Sequence, residues 1–172
     1  MDYSFRKADP SHIPAIVRLM AEAVDTAADP DWFVADDENY IRAHISHKGF
    51  TVLALSDGGD AAGFFAIDFP GTDPGNLGRF LDMDDDQLSA VAHMDTAVVT
   101  SAARGHHLRA RMLAAAEELL QDSSYRYYMC TVHPDNVFSL NNMLASGYRI
   151  ADTRLCYGGL PRHILLKEKA SK

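Results

Sequence analysis

The sequence predicts an α/β (α+β) domain built on a mixed sheet of about six or seven strands, mostly antiparallel, with one central parallel β-α-β crossover and about four flanking helices. Three observations carry that expectation. Short β-rich runs alternate along the chain with stretches whose apolar residues recur at helical spacing. A hairpin signal, Asp57-Gly58-Gly59-Asp60, joins two of those runs. Further on, the apolar run Ala97-Val98-Val99 is followed by a helical stretch and then by a second strand-like run, the order a parallel crossover requires.

Taken in order, Tyr3 to Lys7 reads as a short strand, and Asp9-Pro10-Ser11 supplies the cap and the proline that suit a first helical turn. The helix that follows runs to about Ala27, with Ile13, Ile16, Val17, Met20 and Val24 on its apolar face. Asp36-Asp37-Glu38 opens a second, shorter helix carrying Tyr40, Ile41, His44 and Ile45. Between the two helices, Trp32 and Phe33 form either a satellite core or a wall of a substrate pocket. Thr51 to Ser56 and Ala61 to Phe69 are the hairpin strands. Phe69 to Met83, rich in Pro, Gly, Asp and Asn, reads as an exposed loop. Leu88 to Thr100 leads into the buried central strand. A helix from about Leu108 to Gln121 buries Leu108, Met112, Leu113, Leu119 and Leu120, and Arg126 to Val132 is the strand after it. His133-Pro134-Asp135-Asn136 caps a last helix closed by Gly147, and Tyr148 to Tyr157 and Arg162 to Lys167 pair around Gly158-Gly159.

At 172 residues, with no linker-like break in composition, the whole of 1–172 is expected to be one domain. A hydrophobic fraction of 47% and a charged fraction of 23% match an ordinary globular protein and argue against a disordered or fibrous chain. The net charge of -8 argues against a nucleic-acid partner, which needs a basic surface. No apolar run approaches a membrane span, and MDYSFRKADP lacks the apolar core of a signal peptide, so no membrane is expected and the cytoplasm is the expected compartment. Cys130 and Cys156 have no metal-ligand or redox spacing and read as reduced, partly buried thiols. His93, His106, His107 and His133 form no HExxH-like pair, so no catalytic metal is expected and these side chains read as surface or phosphate-proximal groups. Acid gathers in Asp25 to Glu38 and Asp82 to Asp86, runs that read as loops or loop edges: a solvated surface, or a field that draws a cationic substrate.

One stretch runs against this acidity. Ser101 to Leu113, SAARGHHLRARML, holds Arg104, Arg109 and Arg111 with His106 and His107, and no Asp or Glu occurs from Thr96 to Ala116. It lies where a buried strand ends and a helix begins, so its backbone N–H groups and the positive end of the helix dipole suit a phosphate or pyrophosphate. Gly105 lets the backbone turn sharply there, and Arg104 and Arg109 are placed to add charge-assisted bonds.

With the strand DTAVV before it, the strand YYMCTV after it and then HPDNVFSLNNMLASGYRI, this stretch resembles the acetyl-CoA-binding core of the GNAT superfamily of N-acetyltransferases. The family's pyrophosphate loop, [QR]-x-x-G-x-[GA], falls on Arg104-Gly105-His106-His107-Leu108-Arg109, with His107 and Arg109 where small residues are usual. The resemblance implies transfer of an acetyl group from acetyl-CoA to a primary amine of a small molecule or peptide, by direct attack with both substrates bound. It implies that Ala97, Val98 and Val99 hold the cofactor's arm by backbone bonds, and that Asn136, Ser139 and Asn142 face the cofactor from the last helix; capping and helix surface are the plainer roles for these three. Asp95, just before the apolar run, is the candidate base, or simply an aspartate that opens a strand. The family's tyrosine acid is replaced by Met143, which leaves Tyr148, Tyr128 or solvent to protonate the thiolate. The expected partners are acetyl-CoA and an amine acceptor, with a cationic small molecule favoured; a homodimer stays open. The alternative is a domain of the same fold that binds acyl-CoA as a sensor or interaction module without turning it over.

Overall fold

The computed structural model describes residues 2–33 and 35–170; Val34, inside the first acidic run, and residues 1, 171 and 172 lie outside them. The hydrogen-bonded strand order is β1-β2-β3-β4-β5-β7-β6, a seven-stranded mixed sheet. The chain divides into two compact units, Met1–Asp68 with Asp95–Leu119 and Phe69–Met94 with Leu120–Lys172.

In the first unit, β1 (Tyr3–Lys7), β2 (Gly49–Ser56) and β3 (Ala61–Asp68) form an antiparallel meander, as the hairpin signal predicts, with a bulge at Ala54/Leu55. β4 (Val91–Val99) continues the sheet, and its residues 95–99 belong to this unit. Asp9 caps a 3-10 turn at Pro10–His12 that feeds α1 (Ile13–Asp25), accepting from Ser11 N at 2.8 Å. α1 buries Ile13, Ile16, Leu19 and Met20. Leu19 therefore joins the expected face, whereas Val24, in the last turn of the helix, is 51% exposed. α2 (Glu38–Ser46) starts at its cap Asp37, whose carboxylate accepts from Tyr40 N at 2.9 Å. Phe33 is half-buried and packs against the core made by α1, α2 and the strands. α4 (Leu108–Leu120) buries Leu108, Met112, Leu113, Ala116 and Leu120. Leu119, expected inside, is 53% exposed at the end of the helix, although it lies seven residues after Met112 on the same stripe.

In the second unit, the start of β4 runs parallel to β5 (Tyr127–Val132), with Val91 to His93 opposite Tyr127 to Met129. β7 (Leu160–Glu168) lies between β5 and β6 (Arg149–Cys156), antiparallel to both. The exposed loop expected over Phe69 to Met83 is in part a packed 3-10 turn, Leu77–Leu81, in which Asn76, Leu77 and Gly78 are buried. Asn76 makes this possible: its amide donates to the carbonyls of Gly71 and Leu88 at 2.7 and 3.0 Å, and its oxygen accepts from Gly78 N at 2.9 Å. The second acidic run is the loop edge expected of it, passing from the turn at Asp82 through Met83 into a helix start. Asp84 caps α3 (Asp85–Ser89) with Gln87 in a reciprocal capping box, and Asp85 and Asp86 occupy the first turn, where the dipole favours them. α5 (Val137–Ala145) ends at Gly147, whose φ of 90° is the left-handed cap conformation. Cys130 and Cys156 are buried free thiols.

Candidate functional site

The strand-to-helix junction after β4 has the shape the sequence suggests. A 3-10 turn at Ser101–Ala103 leads into Arg104, Gly105 and His107, and α4 begins at Leu108. Gly105 has φ 85° and His107 φ 54°, so two left-handed residues bend the backbone around the helix start. Glycine adopts that conformation without steric cost, whereas for histidine it costs about 1–2 kcal/mol. His107 O accepts the first helical bond, from Arg111 N at 3.1 Å, which leaves the N–H groups of the first turn without intrahelical partners. Arg104, Gly105, His106 and His107 are exposed and Leu108 is buried as the helix anchor.

The arginines separate into different jobs. Arg109 turns back to β4 and donates to the Ala97 carbonyl at 3.1 Å, and burial holds its pKa below the usual guanidinium value. Arg111 donates to Tyr3 O at 3.4 Å and lies over the Phe5 ring at 4.7 Å. Arg104 remains on the exposed loop. His106 packs its ring against Tyr3, 5.4 Å between centroids. The acid missing from Thr96 to Ala116 is supplied by α1: Glu22 Oε1 accepts from Ser101 N at 2.9 Å and from Ser101 Oγ at 3.0 Å, and those bonds, with the Arg104 charge, lower its pKa.

Asp95 is exposed on β4, with Thr96 and Val98 buried and Ala97 and Val99 half-buried beside it. Tyr40 Oη donates to Asp95 Oδ2. Burial and the Asp95 charge push the Tyr40 pKa far upward, so the hydroxyl stays a proton donor. Next along β4, Thr96 Oγ1 donates to Asp36 Oδ2 at 2.6 Å; burial raises the Asp36 pKa, against the Thr96 bond and with help from the Asp95 charge. Beneath Tyr40, its ring stacks on His44 at 3.8 Å and 24°. His44, 3% exposed, faces acceptors on both nitrogens: the Tyr40 carbonyl lies 2.7 Å from Nδ1 and Asp68 Oδ1 lies 2.8 Å from Nε2. A ring protonated on both nitrogens and paired with Asp68 satisfies both contacts.

Burial works against that charge, but the Asp68 bond, the Tyr40 carbonyl and the Asp68 and Asp95 charges outweigh it and raise the His44 pKa above 6.5. The folded state thus holds this proton more tightly than the unfolded chain. Its stabilising contribution is fully present below the unfolded value and is lost as pH rises through the folded one. Thermal melts from about pH 6 to about pH 9 are expected to show Tm falling, and His44→Gln to flatten that fall.

Asp36, Tyr40, His44 and Asp68 were not singled out as site residues from the sequence. The available signal was the i, i+4 pair Tyr40 and His44, polar groups on the inner side of a short helix.

In the second unit, Asn136 caps α5, its Oδ1 accepting from Ser139 N at 3.1 Å. Ser139 and Asn142 are half-buried on that helix. Tyr148 is buried, 3% exposed, with the Lys167 ammonium 5.6 Å from its ring centroid. His93 and His133, expected at the surface or near phosphate, are buried and structural: His93 Nε2 accepts from Leu77 N at 3.1 Å and His133 Nδ1 from Asp135 N at 3.1 Å. Among the described residues, no group of three or more His, Cys, Asp or Glu is placed to hold a metal ion, and no helix is long and apolar enough to cross a membrane.

The strand order, the parallel pair at the start of β4 and the loop before α4 define the fold of the GNAT acetyltransferases. A GCN5-related N-acetyltransferase from Kribbella flavida superposes with TM-score 0.71 at 19% identity, covering 96% of this chain and 97% of that one. The phosphinothricin acetyltransferase of Sinorhizobium meliloti, solved with acetyl-CoA, has TM-score 0.74 at 14% identity, covering 98% and 89%. The ribosomal-protein-S18-alanine N-acetyltransferase of Escherichia coli has TM-score 0.72 at 11% identity, covering 99% and 96%. No family model matches the sequence, and no curated protein matches it significantly.

Proposed function

We propose that the protein is an acetyl-CoA-dependent N-acetyltransferase that acetylates a primary amine by direct attack while both substrates are bound. The observation that carries this reading is the junction after β4. Two left-handed residues and the open first turn of α4 form an anion seat in a chain with the acetyltransferase fold. Its donor set fits a pyrophosphate: outward N–H groups, the exposed Arg104 and no acidic residue from Thr96 to Ala116.

In this reading the backbone from Arg104 to Arg109 holds the pyrophosphate of acetyl-CoA, and that of Ala97, Val98 and Val99 holds its arm. Asn136, Ser139 and Asn142 contribute from α5. Acetyl-CoA, when bound, supplies the acetyl group activated as a thioester. The protein's own part is to position and to move protons. A β4 N–H polarises the acyl oxygen, and Asp95 takes the proton that an ammonium must lose before its nitrogen can attack. Tyr148 is carried as the proton donor to the departing thiolate. The interacting acidic groups Asp36 and Asp95 favour a cationic small molecule as acceptor.

Acetyl-CoA at a hundredfold excess over its Kd is expected to raise Tm by several degrees. A panel of amines is expected to release CoA thiol with at least one member, polyamines and amino sugars first. An unchanged Tm removes the cofactor assignment. A raised Tm with no thiol release from any amine leaves the acyl-CoA-binding module in its place.

A further inference from the structure

We propose that Tyr40 is a positioning residue for the Asp95 carboxylate, and that the buried His44–Asp68 ion pair holds Tyr40 in place. The proposal rests on the reading of Asp95 as the base. Asp95 stands exposed on β4, and the bond from Tyr40 Oη to Oδ2 helps to set the direction of its carboxylate. Tyr40 is in turn held at two points. Its ring lies flat on the His44 imidazole, 3.8 Å away, and its carbonyl accepts from His44 Nδ1 at 2.7 Å. His44 is anchored from the other side by Asp68 Oδ1 on β3, 2.8 Å from Nε2. The chain of contacts is continuous from the end of β3 through α2 to the middle of β4.

Each member has chemistry that suits its place. An imidazolium under the phenol ring is a cation against a π face, an attraction that strengthens away from water. A phenol is a donor that keeps its proton at any pH the enzyme would meet, so the Asp95 bond persists while Asp95 itself is ionised. No step of the acetyl transfer runs through Tyr40 or His44; they act through the orientation and basicity of Asp95. Tyr40 and His44 of α2 and Asp36 before that helix act on Asp95, and Asp68 of β3 acts on Tyr40 and His44.

The test uses Tyr40→Phe, which keeps the ring and its stacking and removes only the hydroxyl. Wild type, Tyr40→Phe, Asp95→Asn and the double variant are compared with the best amine from the thiol-release panel. Tyr40→Phe is expected to fold with near wild-type Tm and to lower kcat about ten- to a hundredfold while KM for the amine stays within about twofold. Removing a donor from an ionised carboxylate raises its pKa, so the acid limb of the pH–rate profile is expected to move to higher pH. In the Asp95→Asn background the Tyr40→Phe loss is expected to vanish. A wild-type kcat in Tyr40→Phe, an unmoved acid limb, or an undiminished loss in the Asp95→Asn background overturns the proposal. Asp95→Asn impaired with Tyr40→Phe unaffected overturns it alone, whereas an active Asp95→Asn removes the base and the proposal together.

Discussion

Asp95→Asn is expected to lower kcat by about 10²–10⁴, with little change in the affinity for acetyl-CoA. The substitution keeps the size of the side chain and its ability to accept from Tyr40 Oη, so the strand and its neighbours have no reason to move. What is lost is a group able to take a proton from an ammonium near neutral pH. Pre-steady-state and steady-state thiol release read this directly. At pH above the amine's own pKa, where the acceptor arrives unprotonated, the deficit of the variant is expected to shrink. A rate that stays near wild type across the whole pH range would put the base elsewhere, and Asp36, bonded to the adjacent Thr96, is then the next residue to replace.

The second large effect is expected from Gly63→Val. Gly63 sits in the middle of β3, and a Cβ there would lie 2.6 Å from the Val98 carbonyl oxygen, 3.3 Å from the Met112 Cε and 3.4 Å from the Val99 Cα. Methionine can retreat, but the β4 backbone carbonyl cannot do so without moving the strand. The cost is expected to reach about 3 kcal/mol, the upper end for overpacking, which corresponds to a fall in Tm of roughly 6–12 °C for a chain of this size. Because the displaced atoms belong to Val98 and Val99, acetyl-CoA is also expected to give a smaller Tm increase in this variant than in wild type. A variant that melts like wild type would mean that β3 yields instead of β4.

Features written into neighbouring residues were the legible part of this fold. The Asp57 to Asp60 turn, the Asn136 cap, the Gly147 stop and the strand-helix-strand order around Leu108 each depend on a few adjacent side chains, and each lies where the sequence puts it. The insertion of β7 between β5 and β6 carries no such local mark, because it is decided by pairing between strands distant along the chain. The packed turn at Leu77–Leu81 was hidden for another reason: its composition is that of a loop, and only the three bonds of Asn76 show that it is buried. At the candidate site, the glycine and the helix start were readable at once. The support for Asp95 was not, since its partner Tyr40 lies 55 residues away and His44 meets Asp68 across 24. Read along the chain, Tyr40 and His44 are two members of a helix's inner face, and only the tertiary fold turns them toward carboxylates.

Glu22 gives the loop before α4 a resident anion. Its carboxylate already engages both the N–H and the hydroxyl of Ser101. In the proposed reading, a phosphate would find the entrance of the loop taken and would be received further along, from Gly105 to the first turn of α4. A segment with no acid of its own has borrowed one from α1, and the borrowed charge draws a border: on one side the loop is tied to its own protein, on the other it is left to receive.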